Sequence, residues 1–326
     1  MTKSIAALAL LLSTGHLLTA AGPATGQSSY PNKPIRMISP YVPGGATTIM
    51  GRLVGQKLTD KWGQQVILDN RPGGGGVLGA QILAQSPPDG YTIIFMSVSD
   101  HILTSLVHKT PYDPIGDFAP IATIAIGERL MVINRSVPAS NLQELIALAK
   151  SRPGALNYAS NGSGTTPHLS TELFSMMAGV KMAHIPYKGG GQIVTDLIGG
   201  HVQVYIGAVA SMVPFVNGDK LKAIAVSGEN RSPALPNVPT FTEAGLPGLD
   251  LKVWYGVLAP ARTPRAVIDA MSAEIAAILR LPDINEKFAG LGMAPFVTAP
   301  ARITEMMKAD MVRYARVVKA ANIKAD

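Results

Sequence analysis

Glycine and hydroxyl residues cluster at four places where a predicted strand ends. The clusters occupy residues 44–48, 97–99, 160–166 and 187–190, and they offer backbone N–H and hydroxyl donors. The first N–H groups of a helix lack intrahelical partners and lie at the positive end of the helix dipole, so a Gly-Gly turn before a helix favours an anion. Hydrogen bonds to a charged group are roughly twice as strong as neutral ones. The pattern therefore indicates a site for a small anion, although a single Pro-Gly-Gly turn is also typical of an ordinary loop.

Two other motifs suggest different chemistry. The glycines of residues 74–79 satisfy G-x-G-x-x-G between a predicted strand and helix, which is formally a dinucleotide fingerprint. The predicted export signal described below argues against it, and no cofactor is expected. Ser160 or Ser163 with His168 could form the nucleophile and base of a secreted hydrolase, but the chain has no G-x-S-x-G elbow around them. The hydrolase stays an alternative to a binding protein.

Composition excludes several classes of function. The chain has 326 residues, which predicts two compact lobes, and a formal net charge of +7, which favours anionic ligands. Its lysines and arginines are scattered without a basic run, so no nucleic acid is expected. Cysteine is absent, which excludes a disulfide framework, a thiolate metal site and lipid attachment at a signal cysteine. The histidines lack metal-ligand spacing, so no metal is expected.

The first 26 residues read as an export signal. Lys3 precedes an apolar segment at residues 5–12, and small residues follow at 20–26. The apolar segment is shorter than the roughly 20 residues that span a bilayer, which leaves a membrane anchor as the alternative. We therefore expect cleavage after Gly26 or Ala21 and a mature protein in the periplasm.

Strands alternate with helices along most of the chain, which predicts parallel sheets with binding groups at the carboxyl ends of the strands. Residues 97–101 are predicted to form a polar loop. A helix at 263–279, with Thr263 as a possible cap, and a last helix at 300–320 are expected to pack on the first lobe. The predicted strands are 34–39, 66–69, 91–96, 156–159, 202–206, 221–226 and 253–258.

Several ordered motifs resemble those of the substrate-binding proteins of tripartite tricarboxylate transporters, the Bug family of periplasmic solute receptors. The resemblance runs from Tyr30 to the last helix. The motifs that carry it are PGGATT at 43–48, DNRPGGGGVLG at 69–79, DGYT at 89–92, YASNGSG at 158–164, PYKG at 186–189 and LPNVPTFTEAGLPG at 235–248.

This resemblance implies an α/β fold with two lobes, the type II periplasmic-binding-protein arrangement that closes like a venus flytrap. Residues 27–125 with 255–326 would form lobe 1, and residues 126–254 would form lobe 2. The protein would capture a small organic carboxylate between the lobes and deliver it to integral-membrane permease subunits, as a monomer and without enzyme activity. A signalling receptor that presents the same ligand to a sensor is the other alternative.

The resemblance and the donor clusters together give the expected ligand-binding residues. The family often carries Asp where Thr48 stands and Phe-Asp where Ile206 and Gly207 stand, so the missing acids favour a plain mono- or dicarboxylate, aliphatic or aromatic, over an amino acid. The expected residues are Tyr41, Gly44, Gly45, Ala46, Thr47, Thr48, Ser97, Ser99, His101, Ser160, Gly162, Gly164, Thr165, Thr166, His168, Tyr187, Lys188 and Gly207.

Overall fold

The computed structural model describes residues 30–187, 190–249 and 251–324. The predicted export signal and Lys188 lie outside these residues. The strands are β1 (Ile35–Ser39), β2 (Val66–Asn70), β3 (Thr92–Ser97), β4 (Phe118–Gly127), β5 (Arg129–Asn134), β6 (Asn157–Ser160), β7 (Ala183–Pro186), β8 (Val204–Ala208), β9 (Leu221–Val226), β10 (Val253–Pro260) and β11 (Met293–Pro295). The helices are α1 (Ala46–Trp62), α2 (Val77–Ala84), α3 (Val98–Val107), α4 (Leu142–Ser151), α5 (Thr166–Ala178), α6 (Gly190–Gly199), α7 (Val209–Asn217), α8 (Arg265–Ile278), α9 (Pro282–Gly290) and α10 (Pro300–Ala320).

These elements build two mixed sheets. The first has the order β11-β4-β10-β3-β1-β2 and the second the order β7-β6-β8-β5-β9. Strands β1, β2 and β3 are parallel, as are β6, β7 and β8, but β10 and β5 run antiparallel to their neighbours. The prediction of purely parallel sheets was therefore wrong. The reason is that β5 and β10 are each reached from the other sheet. Neither follows a crossover helix that would return the chain parallel to the strands of its own sheet.

The chain changes sheets twice. It passes from the first sheet to the second at Glu128, and it returns between the end of β9 at Val226 and the start of β10 at Val253. We call the residues around the first sheet lobe 1 and those around the second sheet lobe 2. The predicted boundaries, at 125/126 and 254/255, lie beside these crossings, and a hinge at them stays a prediction.

Helix α10 joins the hydrophobic cores of both lobes. Ile303 and Met307 on its first half pack with the core of lobe 1, whereas Tyr314 and Val317 on its second half pack with that of lobe 2. The spacing of these four side chains places them along one face of a long helix. The expectation that this helix packs on lobe 1 thus describes only its first half.

Two local predictions near helix starts were also wrong. Residues 98–101 belong to α3 and not to a loop, because Ser97 caps this helix by accepting a 3.1 Å hydrogen bond from the N–H of Asp100. Thr263 does not cap α8, since its hydroxyl donates to the carbonyl of Pro260 at 2.7 Å and Pro264 is the N-cap. Within the part of the chain that the structure describes, no helix combines the length and apolar composition of a membrane span.

Candidate functional site

The turn between β1 and α1 presents free backbone donors. Gly44 has a φ of 97°, a left-handed conformation that glycine adopts without strain. Gly45 is the N-cap of α1 and provides no side-chain cap, so the N–H groups of Ala46, Thr47 and Thr48 have no intrahelical or capping partner. Both glycines are exposed, and the positive end of the helix dipole therefore faces open space.

Thr48 supports this turn from beneath. Its side chain is buried, its hydroxyl donates to the carbonyl of Val42 at 3.3 Å, and it accepts from Nδ2 of Asn70 at 3.4 Å. The same amide donates to the carbonyl of Tyr41 at 2.9 Å. Tyr41 itself is intermediate in exposure, with a hydroxyl beside Ser97, and burial raises its pKa well above the usual value. Thr48 contributes to the site mainly by holding the turn in place.

The loop between β6 and α5 uses many of its donors internally. The N–H of Gly162 donates to Oγ of Ser160 at 3.1 Å, and the N–H of Gly164 donates to Nδ1 of His168 at 3.1 Å. The hydroxyl of Thr165 donates to the carbonyl of Gly162 at 2.7 Å. These five expected ligand-binding positions therefore shape the loop in the conformation observed.

A carboxylate of the protein occupies the start of α5. Oδ1 of Asp100, from α3 in lobe 1, accepts from the N–H of Thr166 at 3.0 Å and also from its hydroxyl. A ligand carboxylate was expected at this helix N-terminus, and the role of Thr166 in binding one stays a prediction. Its donors are engaged by Asp100 and join the two lobes.

Aromatic stacking positions the two histidines near this loop. The rings of His168 and His184 stack with centroids 3.8 Å apart, and Tyr158 stacks on His184 at 5.0 Å. Oγ of Ser160 lies 2.6 Å from Nε2 of His184, and the Tyr158 hydroxyl donates to Glu172. The histidine that contacts Ser160 is therefore not the base that the hydrolase alternative required.

Two tyrosines that were not predicted from the sequence lie beside the turn of lobe 1 and the loop of lobe 2, close enough to act on each other electrostatically. Tyr255 on β10 hydrogen-bonds to Thr47, and the Tyr205 hydroxyl on β8 donates to Oδ1 of Asn161 over a long 3.5 Å. Burial raises the pKa of Tyr255 to about 12 and also raises that of Tyr205. The nearby positive charge of Arg129 opposes this rise in pKa at both tyrosines but does not cancel it. Both lie inside strands and not in a donor cluster, so no motif in the sequence marks them.

The expected ligand-selecting group at the end of β3 is buried. His101 is 2% exposed, stacks on Tyr112 and touches Phe118, and its Nε2 lies 2.9 Å from the carbonyl of Pro114. Burial lowers its pKa to about 4. The side chain is buried because α3 starts at residue 98 and turns it inwards, and its contact with a ligand stays a prediction.

The remaining expected residues have structural contacts of their own. Oγ of Ser99 is buried and accepts from the N–H of Trp254 at 3.2 Å, which fixes the start of β10. The Tyr187 hydroxyl donates to Oδ2 of Asp196 at 2.8 Å. Gly207 lies under the ring of Tyr205, since a Cβ there would come within 2.4 Å of that ring. The described residues contain no cluster of acidic or histidine side chains able to hold a metal ion.

Comparisons with known proteins agree with this architecture. The model of the family described as tripartite tricarboxylate transporter family receptor matches residues 50–323. BugT of Bordetella pertussis is 33% identical over 326 residues, which cover 99% of each chain. Rpa4515 of R. palustris, solved with adipate, has a TM-score of 0.82 at 33% identity and covers 91% of this chain and 100% of its own. MatC from Rhodopseudomonas palustris, solved with bound malate, has a TM-score of 0.79 at 28% identity and covers 89% of this chain and 100% of its own.

The family match spans most of the chain, and the solved structures share its two-sheet α/β fold. Both the resemblance and the predicted type of fold are thereby confirmed. Members of the family are receptors that bind substrates without transforming them, which removes the hydrolase alternative. The chain belongs to the tripartite tricarboxylate transporter receptor family and is a solute-binding protein.

Proposed function

We propose that this protein is exported to the periplasm, captures a small organic carboxylate between its two lobes and delivers it to the membrane permease of a tripartite tricarboxylate transporter. The family match supports transport, and the solved structures with adipate and malate support a carboxylate ligand. Those two ligands are dicarboxylates. The class we propose also includes monocarboxylates, aliphatic or aromatic, because the sequence argument above does not separate them.

The observation that carries this proposal is the uncapped N-terminus of α1. Its first-turn N–H groups face open space beside two exposed glycines, and Thr47 connects the turn to Tyr255. An anion placed there gains the hydrogen bonds that the helix cannot make and a favourable interaction with the dipole. Neutral donors at α1 hold such an anion by hydrogen bonds and still allow its release to a permease.

Ligand binding is tested on protein that has been denatured, dialysed and refolded to remove small acids. Malate, adipate, hexanoate and benzoate are compared by thermal shift, with hexylamine as a cationic control that has no carboxylate. Because a ligand that binds only the folded state stabilises it by mass action, at least one acid should raise Tm in a concentration-dependent way. The free energy of unfolding should rise by about 2.7 kcal/mol at 100 times Kd. If none does, the proposal is wrong.

The substitution Ala46→Pro sharpens this test. Proline is tolerated at the first position of a helix, and Gly45 before it has the extended backbone that a residue preceding proline requires. The variant loses one free N–H while the fold is kept, so binding of the responding acid should weaken by about tenfold, as expected for one charge-assisted hydrogen bond. Unchanged affinity would place the carboxylate elsewhere.

Delivery to a permease is tested in cells. Deleting the gene should abolish uptake of the labelled acid, and restoring the protein should restore it. Uptake that continues without the protein, together with loss of a transcriptional response to the acid, would favour the signalling receptor.

A further inference from the structure

Arg129 is a buried cation in lobe 2, at the end of the sheet where the loop of residues 160–166 begins. It is the first residue of β5 and pairs with Ala208, the last residue of β8. Its N–H donates to Oγ of Ser227 at 2.8 Å, so its backbone is held from both sides. Since β5 runs antiparallel to β8, the start of β5 lies level with the carboxyl end of β6 at Ser160. Arg129 thus lies at the carboxyl ends of the parallel strands, where ligands bind in such sheets.

The guanidinium has no partner of opposite charge. The side chain is 7% exposed, and among the described residues its Nε has no hydrogen-bond partner and it joins none of the ion pairs. Asp100 acts on the same tyrosines, but its Oδ1 already accepts two hydrogen bonds from Thr166. The carboxylate of Glu128 interacts with Lys252. Burying an unpaired charge is unfavourable, so Arg129 has an unmet requirement for an anion.

The charge of Arg129 acts where the two site loops meet. It lowers the pKa of Tyr205 and of Tyr255, opposing the larger effect of burial on both. Tyr255 contacts Thr47 in the turn of lobe 1, and Tyr205 reaches Asn161 in the loop of lobe 2. The free N–H groups of α1 and the guanidinium of Arg129 therefore both lie near this tyrosine pair.

We propose that Arg129 binds the second carboxylate of a dicarboxylate ligand whose first carboxylate is held by the N-terminus of α1, with Tyr205 and Tyr255 lying between them. The inference rests on the proposed function, since it assumes a carboxylate at α1. A guanidinium offers a planar fork of N–H donors that matches a carboxylate in a bidentate arrangement, which neutral donors do not. Arg129 thus selects diacids over monoacids of the same length.

The test compares adipate with hexanoate, which has the same chain length but a single carboxylate. Their Kd values are measured by titration calorimetry for the wild type, Arg129→Gln and Arg129→Lys. Arg135→Gln, which alters an exposed arginine paired with Asp219, is the matched control. We expect the wild type to prefer adipate by about tenfold or more, and Arg129→Gln to lose that preference while its hexanoate affinity stays within about twofold. Arg129→Lys should be intermediate, because it keeps the charge and loses the fork.

A second readout separates ligand binding from a structural role. Ligand-free Arg129→Gln should melt at or above the wild-type temperature, because no ion pair is lost and a buried charge is removed. A lower Tm with an unchanged adipate preference would overturn the inference and assign Arg129 to the fold.

If Arg129→Gln does not fold, Arg129→Lys decides through its ratio of adipate to hexanoate affinity, and a ratio equal to that of the wild type overturns the inference. If the wild type binds both acids equally, the inference fails while the proposed function stands, whereas binding of no acid at all is the failure of the proposed function.

Discussion

At the residue scale, the clearest difference between expectation and structure is His101. The sequence predicts a polar loop at His101, yet the ring packs between Tyr112 and Phe118 with Nε2 beside the carbonyl of Pro114. Its Nδ1 is buried with no hydrogen-bond partner among the described residues. A ring in this setting is stable only when it is neutral.

This predicts an acid sensitivity that has nothing to do with ligand binding. The pKa of His101 falls from 6.5 to about 4 in the folded state, so between these values the unfolded chain binds one more proton than the folded one. The stability from the neutral ring is present above pH 6.5 and is lost as pH falls towards 4, by on the order of 3 kcal/mol. His101→Gln should flatten the unfolding free energy over this range in denaturant melts.

The control for this experiment is His201→Gln, at an exposed position. It should leave the pH profile of the wild type unchanged. Parallel profiles for the wild type and His101→Gln would contradict the prediction.

Some site residues could be predicted from the sequence, and the reasons are physical. Gly44 and Gly45 could be proposed because the positive φ of Gly44 and the uncapped helix start leave a visible Gly-Gly pair, and their contact with a ligand stays a prediction. Arg129 was missed because it appears in the sequence only as a break in an apolar run. Its importance depends on Tyr205 and Tyr255, which lie far away along the chain.

At the element scale, the long periodic segments were predicted well. Helix α10 has the predicted bounds, and α8 begins and ends within two residues of the predicted 263–279. Helices α3, α7 and α9 were missed. Their sequences follow directly on a strand or a long helix, so nothing separates them in the hydrophobic pattern. The antiparallel direction of β5 and β10 was not predicted, because the direction of a strand depends on the sheet from which the chain arrives.

The contact between Gly207 and the ring of Tyr205 gives a test of β8. A Cβ at residue 207 would lie 2.4 Å from Cε1 of that ring, so Gly207→Ala must displace Tyr205 from its place between the lobes. We expect a loss of stability of about 1–3 kcal/mol and weaker binding of the responding carboxylate. Denaturant melts and titration calorimetry measure the two effects.

The matched control for this change is Gly191→Ala in α6. No atom lies within 4 Å of the new Cβ there, so the substitution should be neutral or stabilise by up to about 1 kcal/mol. If Gly207→Ala binds its acid as the wild type does, the ring of Tyr205 has no role in the site.

At the scale of the whole molecule, the proposed ligand contacts both lobes at once. The N–H groups at residues 46–48 lack partners in the ligand-free protein, and those at 162–166 are held by internal bonds and by Asp100. We expect an added carboxylate to slow hydrogen exchange in both segments at the same concentration, whereas α8 is unaffected. Mass spectrometry of the exchanged peptides measures this. Slowing confined to one segment would mean that the ligand binds a single lobe and no closure follows.

The path of α10 across both cores has a practical consequence. The Tyr30 hydroxyl donates to the carbonyl of Gly90 at 2.7 Å, which anchors the start of the described chain in lobe 1, whereas Ile323 packs against the core of lobe 2. The two ends of the described chain are therefore attached to different lobes. A pair of fluorescent proteins fused before Tyr30 and after the last helix would change its energy transfer whenever the lobes rotate, and would turn this receptor into an optical sensor for its own ligand.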